Sequence, residues 1–309
     1  MKHHLRSRPH GAALLLVLWA IAVVSFVVVW LASAIDLELQ SGASDASGFK
    51  ARQLALSGVA LGLHPQVKRD DTDLLNREFE DGSRMEVRIR GEGARLNINQ
   101  LLAQQDRPTL KNLFILWGLS NDEADVLIDR LTDWVDNDIG RQLNGAEEAE
   151  YLAAGITDAP ANRPFRSVDE MGRVMGMELL AEAHPAWRDA FTIFGDGKVD
   201  VNEASADVLR VVTGLNAEMV DGILLQRIGP DGIEPSEDDF RFEDIKQLDG
   251  WLQSSGLPAG QAAARLTTES TVKRIDSRGF VGDFERQISV VAGPSEGGQP
   301  VDYLLWEEK

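Results

Sequence analysis

The sequence of 309 residues contains no cysteine. Disulfides, thiol nucleophiles and cysteine-based metal sites are therefore excluded, and the redox compartment is left unmarked. Histidine is scarce: of five residues, His3, His4 and His10 crowd the first ten positions, leaving His64 and His184. Neither stands at a spacing used by metal centres or by nucleophile and base pairs, so no enzyme is expected. Positive charge is in deficit, with 31 Lys and Arg against 50 Asp and Glu and a formal net charge of −19. Such a chain repels phosphate backbones and anionic headgroups, and it offers many oxygens to hard cations. Before Asp36 there is no acid at all.

That acid-free stretch has two parts. A short leader carries Lys2, Arg6 and Arg8 and ends at Gly11; behind it Ala12 to Ile35 is apolar apart from Ser25 and Ser33. As a helix rising ~1.5 Å per residue, the run reaches across a hydrocarbon core of ~30 Å. The basic flank assigns the N-terminus to the cytoplasm. A secretory signal peptide shares the basic start, and Ala32-Ser33-Ala34 can be read as its cleavage site. The apolar run, however, exceeds the roughly 7–15 residues of a signal core.

From Asp36 to Val67 the pattern predicts the helix continuing into water, with Leu54, Leu56, Val59, Leu61 and Leu63 as an apolar face and Pro65 as the stop. The period falters between Ser41 and Gly48, so a kink or loosened turn is expected there. Strand patterns are few. Ser83 to Arg90 alternates apolar and charged residues, and no comparable run returns until Val272 to Phe280, Gln287 to Val291 and Tyr303 to Trp306. One sheet is thus assembled from both ends of the chain, with a mainly helical insertion between.

Within the insertion lies a weak repeat. Arg95-Leu96-Asn97-Ile98-Asn99-Gln100 is echoed by Lys198-Val199-Asp200-Val201-Asn202-Glu203, and Trp117-Gly118-Leu119-Ser120 by Thr213-Gly214-Leu215-Asn216. Each unit reads as a turn, a helix, a Gly-Leu hairpin and a second helix. It resembles the helix-hairpin-helix module, which elsewhere grips DNA backbones. Acids follow both hairpins here, Asp122 and Glu123 in one and Glu218 in the other, so the unit reads as packing rather than as a phosphate grip.

Acids are dense in Asp133-Trp134-Val135-Asp136-Asn137-Asp138 and again in Gly145-Ala146-Glu147-Glu148-Ala149-Glu150. A loop bringing them together would suit Ca²⁺, which takes roughly 6–8 oxygens, although the spacing is not that of an EF-hand. On spacing alone, a solvated acidic loop is the plainer reading.

The Gly before the apolar run resembles the leader of type IV pilins and pseudopilins. The resemblance implies a prepilin peptidase that cuts between Gly11 and Ala12 and methylates Ala12. Most members carry a Glu at the fifth mature position; here that position is Leu16. The pseudopilin that lacks this Glu is the K component of type II secretion. The central run resembles that family too: Asp133 to Asp138, Asn144-Gly145-Ala146-Glu147, Tyr151, then Ala161-Asn162-Arg163-Pro164-Phe165 and Ser167 to Met171.

The resemblance implies an α+β, pilin-like fold: a long N-terminal helix and a small antiparallel sheet, with a large all-helical domain inserted in the sheet. The divisions are a leader (1–11), a transmembrane helix (12–35), the amphipathic helix and first strand (36–95), the helical insertion (96–266) and the remaining strands (267–309). It implies a minor pseudopilin at the tip of the type II secretion pseudopilus, in a heterotrimer with the I and J minor pseudopilins above the major pseudopilin filament. Such a protein is anchored once in the bacterial inner membrane with its head in the periplasm. It also implies calcium, for which Asp133, Asp136, Asp138 and Glu147 are the expected ligands, with Glu148 or Glu150 as substitutes. A type IV minor pilin would share leader and fold but lack the Asp-Trp-Val-Asp run, and a tethered DNA receptor would need a basic face.

Overall fold

The computed structural model describes residues 10–232, 239–254, 263–294 and 301–309, with only the backbone course given for 10–14, 32–45, 254 and 263. Helix α1 (His10–Gly62) is 53 residues long. It runs unbroken through Ser41 to Gly48, where the sequence suggested a kink; helix-forming Ala, Gln and Leu on either side sustain it across the Ser and Gly positions. Ala12 to Ile35 lies wholly within it. Its described side chains, from Leu15 to Leu31, are exposed, Leu16 at 68% among them. Among the described residues no helix is long and apolar enough to cross a membrane; the described side chains cover only part of the apolar run.

After the short helix α2 (Thr72–Leu75), strands β1 (Asn76–Glu78) and β2 (Arg84–Gly91) form a hairpin. The chain then leaves the sheet. Strand β3 (Leu96–Asn97) leads into helices α3 (Ile98–Ala103), α4 (Arg107–Leu116), α5 (Asn121–Val135), α6 (Glu148–Ala153) and α7 (Met177–Ala183). Strands β4 (Phe191–Thr192) and β5 (Val199–Asp200) precede helices α8 (Ala206–Thr213), α9 (Ala217–Ile228) and α10 (Ile245–Ser254). Strand β6 (Leu266–Thr267) leads back to β7 (Lys273–Val281), β8 (Phe284–Ala292) and β9 (Tyr303–Glu308).

The main sheet is antiparallel with order β1-β2-β7-β8-β9, so the first hairpin and the last three strands adjoin across the whole insertion. Met85, Val87, Ile275, Ile288 and Val290 turn one face of it onto Ala55 and Val59 of α1, making a small core. Contact is close: a Cβ at Gly279 would strike the carbonyl of Ala51, so only glycine lets the helix lie this near β7. The other face is charged, with Arg90 on Asp276 and Arg278 on Glu86, as expected for a sheet covered on one side.

The helical head has its own, larger core, centred on Trp134, Trp187, Phe114 and Phe191. The repeat is its frame. Gly118 and Gly214 adopt positive φ at the two hairpins, and Ser120 and Asn216 cap α5 and α9 by accepting from the N–H of Glu123 and Met219. Strands β3 and β5 each pair in parallel with a short strand, β4 and β6. The correspondence reaches further than the sequence suggested. Asn99 donates to the Phe165 carbonyl and accepts from the Phe165 N–H, both at 2.9 Å; Asn202 makes the same two bonds to Phe242, also at 2.9 Å. Each unit thus clamps a buried phenylalanine through an amide, and Phe165-Arg-Ser-Val aligns with Phe242-Glu-Asp-Ile.

Candidate functional site: an acidic loop at the end of helix α5

Helix α5 is amphipathic, and Leu127, Ile128, Leu131 and Trp134 point into the core. Trp134 anchors its last turn. Its ring meets Tyr151 edge-on at 5.6 Å and stacks on Phe165 at 6.4 Å, and its carbonyl accepts from the N–H of Asn162. The Trp, Tyr and Asn-x-Pro-Phe elements of the central run are therefore one aromatic knot. Burial drives the Tyr151 phenol up to about 12.

The knot fixes Asp133 on the adjoining side of the same turn, fully buried, while Asp136 caps the helix C-terminus. The chain loops out through Asp138 and returns over Asp133, whose carboxylate accepts from the N–H of Gln142 at 3.1 and 3.2 Å. Gly145 makes the return feasible, since a Cβ there would run into the Asp133 carboxylate. Glu147 follows at the N-cap of α6.

These acids feel one another. Burial, then the charge of Asp136, lifts the Asp133 carboxyl above the usual range; burial, then Asp138, lifts Asp136; burial, then Asp133, Asp136 and Asp138, lifts Glu147. Buried oxygens Asp136 Oδ1 and Glu147 Oε1 have no hydrogen-bond partner. Asp138 Oδ1 accepts from the Gly140 N–H at 2.6 Å. Glu148 is exposed and does not join the group. Glu150 instead accepts from the Glu147 N–H, which holds its carboxyl low, and pairs with Arg141 at 2.9 Å, which adds to the effect.

The donor chemistry fits a hard cation: carboxylate oxygens only, two of them buried and unmet, and no arginine among the four. The side chains do not converge: among the described residues no group of three or more His, Asp or Glu is arranged to hold a metal ion. Neighbouring Asp129, which composition alone would have placed in the cluster, is committed elsewhere: it takes Arg107 at 2.8 Å and the N–H of Asn144 at 3.0 Å.

With this geometry in view, the comparisons are decisive for the head. A family model for type II secretion system protein K matches residues 94–183, from the start of the insertion to the end of α7. Over that segment the chain is similar to the type II secretion protein K family. The segment includes the aromatic knot and every acid of the loop. No curated protein matches the chain. Among solved structures, the fold is similar to a chain in the crystal structure of the GspK-GspI-GspJ complex from the enterotoxigenic Escherichia coli type 2 secretion system. The TM-score is 0.60 at 18% identity, over 90% of this chain and 99% of the other. At that identity the likeness speaks for the fold, and it extends beyond the K domain to the sheet and α1. The resemblance to the K family holds over residues 94–183, and the expected α+β architecture of a long N-terminal helix, an antiparallel sheet and further helices holds over the described chain.

Gly11 and Ala12 lie in the first turn of α1, where side chains are outside the described residues. Leu16 is described and apolar, so no acid faces out from α1 at that position.

Proposed function

We propose that this chain is a minor pseudopilin of a type II secretion system, a non-enzymatic assembly protein that initiates or caps the pseudopilus. The observation that carries the reading is the protein K match over residues 94–183 in a chain whose remaining strands and long helix complete a pilin-like lobe. Ala12 to Ile35 anchors the protein in the inner membrane after a prepilin peptidase removes the leader at Gly11 and methylates Ala12. The head then lies in the periplasm. Absence of an acid at Leu16 suits a terminal subunit, because a carboxylate in the membrane is costly unless a neighbour supplies its partner. I- and J-type pseudopilins are its partners, as named for the structurally similar complex, and the major pseudopilin filament stands beneath.

Calcium belongs to the same proposal. Asp133, Asp136, Asp138 and Glu147 hold the ion, which supplies the positive charge that their mutual repulsion calls for. The ion's part is structural: it fastens the loop after α5 to the start of α6.

Mass spectrometry of the mature N-terminus, with and without the prepilin peptidase, tests the anchoring. A methylated chain beginning at Ala12, seen only with the enzyme, is the expected result; an intact leader in both, or a start near Asp36, defeats the proposal.

A further inference from the structure

We infer that the open half of strand β2 is a docking edge for an extended, carboxylate-bearing segment of a partner polypeptide, taken up as an added strand beside Arg88 and Arg90. Strand β1 pairs only with Arg84 to Glu86, so Val87 to Gly91 have no strand on their outer side among the described residues. Backbone direction follows from two bonds. Phe79 N–H donates to the Ser83 carbonyl across the hairpin, while Glu92 N–H donates to Val272 on the opposite side. Because direction alternates along a strand, Ile89 and Gly91 turn their N–H and C=O groups outward.

One of those outward positions is already occupied, and by a carboxylate. Glu203 Oε2 accepts from the Gly91 N–H at 2.6 Å, and its Oε1 pairs with Arg69 at 3.2 Å. An acid of this chain thus stands where an added strand would run, held between a strand amide and an arginine. At Ile89, the next position along, no side chain or loop caps the N–H among the described residues.

Beside it lies a groove of about 600 Å³ whose lining includes Thr72, Leu75, Asn76, Arg69, Arg88 and Arg227. Glu203 is the one acid lining this groove, against Arg69, Arg88, Arg90 and Arg227; past Gly91 the edge turns mixed, with Asp70, Asp200, Asp239 and Glu269 beside Lys68, Arg241 and Lys273, so the basic stretch is confined to the Arg88 end. Arg88 is exposed and makes no ion pair among the described residues; Asp276, its cross-strand neighbour, bonds Arg90 at 2.6 Å instead. An arginine fork of this kind pairs bidentately with a carboxylate, and an open strand edge supplies main-chain bonds to an extended peptide. Nucleic acid is disfavoured because the rest of the surface repels its backbone. The inference goes beyond the secretion reading and does not depend on it.

The test uses the full-length chain in detergent and a panel of labelled ten-residue peptides that alternate Glu with Val, Ile or Thr. Lysine counterparts, counterparts broken by proline, and a short DNA duplex complete the set. Fluorescence anisotropy gives affinity, and hydrogen exchange reads the Ile89 amide. Acidic alternating peptides should bind and slow exchange at Ile89; Arg88→Glu should weaken them at least tenfold, and Arg286→Glu should not. The inference is overturned if no acidic peptide binds, if the proline or lysine forms or the duplex bind as well, or if Ile89 exchange is unchanged on binding.

Discussion

Where the sheet meets the helical head, Glu92 is almost wholly buried and is met by Arg274 at 2.5 Å, by Arg95 at 3.6 Å and by the Thr192 hydroxyl. At the end of α5, Asp133 is buried as deeply but is met by the Gln142 N–H and, among the described residues, by no arginine, with the charge of Asp136 acting on it. Asp276 and Glu170 follow the first pattern: burial pushes each carboxyl up, yet bonds from Arg90 and Ser289 to one, and from Arg163 and Arg166 to the other, hold both below the ordinary range. Asp133, Asp136 and Glu147 follow the second and are all raised. Burial is common to both groups, so the missing counter-charge makes the difference. The proposed calcium ion would supply to this cluster the positive charge that arginines supply to the other acids.

Removing an arginine should expose the contrast most strongly. Arg274→Ala leaves Glu92 buried beside Arg95 alone, and urea denaturation should show a loss of about 3 kcal/mol. A loss below about 1 kcal/mol would mean that the junction acids do not depend on their partners. Ca²⁺ should act in the opposite sense at the loop. At 100 times its dissociation constant it should stabilise the chain by about 2.7 kcal/mol, visible as a higher Tm. Asp133→Asn should abolish that gain, and an equal gain in the variant would remove Asp133 from the site.

Asp200 offers a check on the burial argument away from the loop. Burial, then the charge of Glu203, raises its carboxyl to about 6. The folded state therefore takes up the proton before the unfolded state, so stability should rise by up to about 2 kcal/mol as pH falls from about 6 to about 4. Asp200→Asn should flatten that window and raise stability at neutral pH; an unchanged slope would contradict it. The smallest effect is expected from Glu147→Gln without metal. Lifting part of the repulsion should stabilise the protein by about 1 kcal/mol, discounted for its partial exposure, and the gain should vanish on acidification as the loop carboxyls protonate. A loss instead would show that Glu147 holds the loop through contacts other than charge.

Much of this was legible in the residues. Alternation located β2, β7 and β9 within a residue or two and β8 from three residues after its start, because a sheet covered on one face must alternate. Strand β1 escaped: Asn76-Arg77-Glu78 is exposed throughout and carries no pattern. The repeat was visible in its hairpins, but the Asn clamps on Phe165 and Phe242 join residues 66 and 40 positions apart, a distance at which local periodicity is silent. At the loop the acids could be named but not sorted. Whether Asp129 or Asp133 receives an arginine depends on Arg107 reaching across from α4, and only the packing of α4 on α5 decides it. Glu148 stood as a substitute ligand for Glu147 on sequence, but the first turn of α6 turns it to solvent.

Native mass spectrometry of the full-length chain, co-expressed in detergent with the I- and J-type pseudopilins of its own secretion system, tests the central claim most directly. The account predicts a complex of one copy each, in which the chain begins at methylated Ala12. A chain that stays alone while its I and J counterparts pair with each other would contradict it.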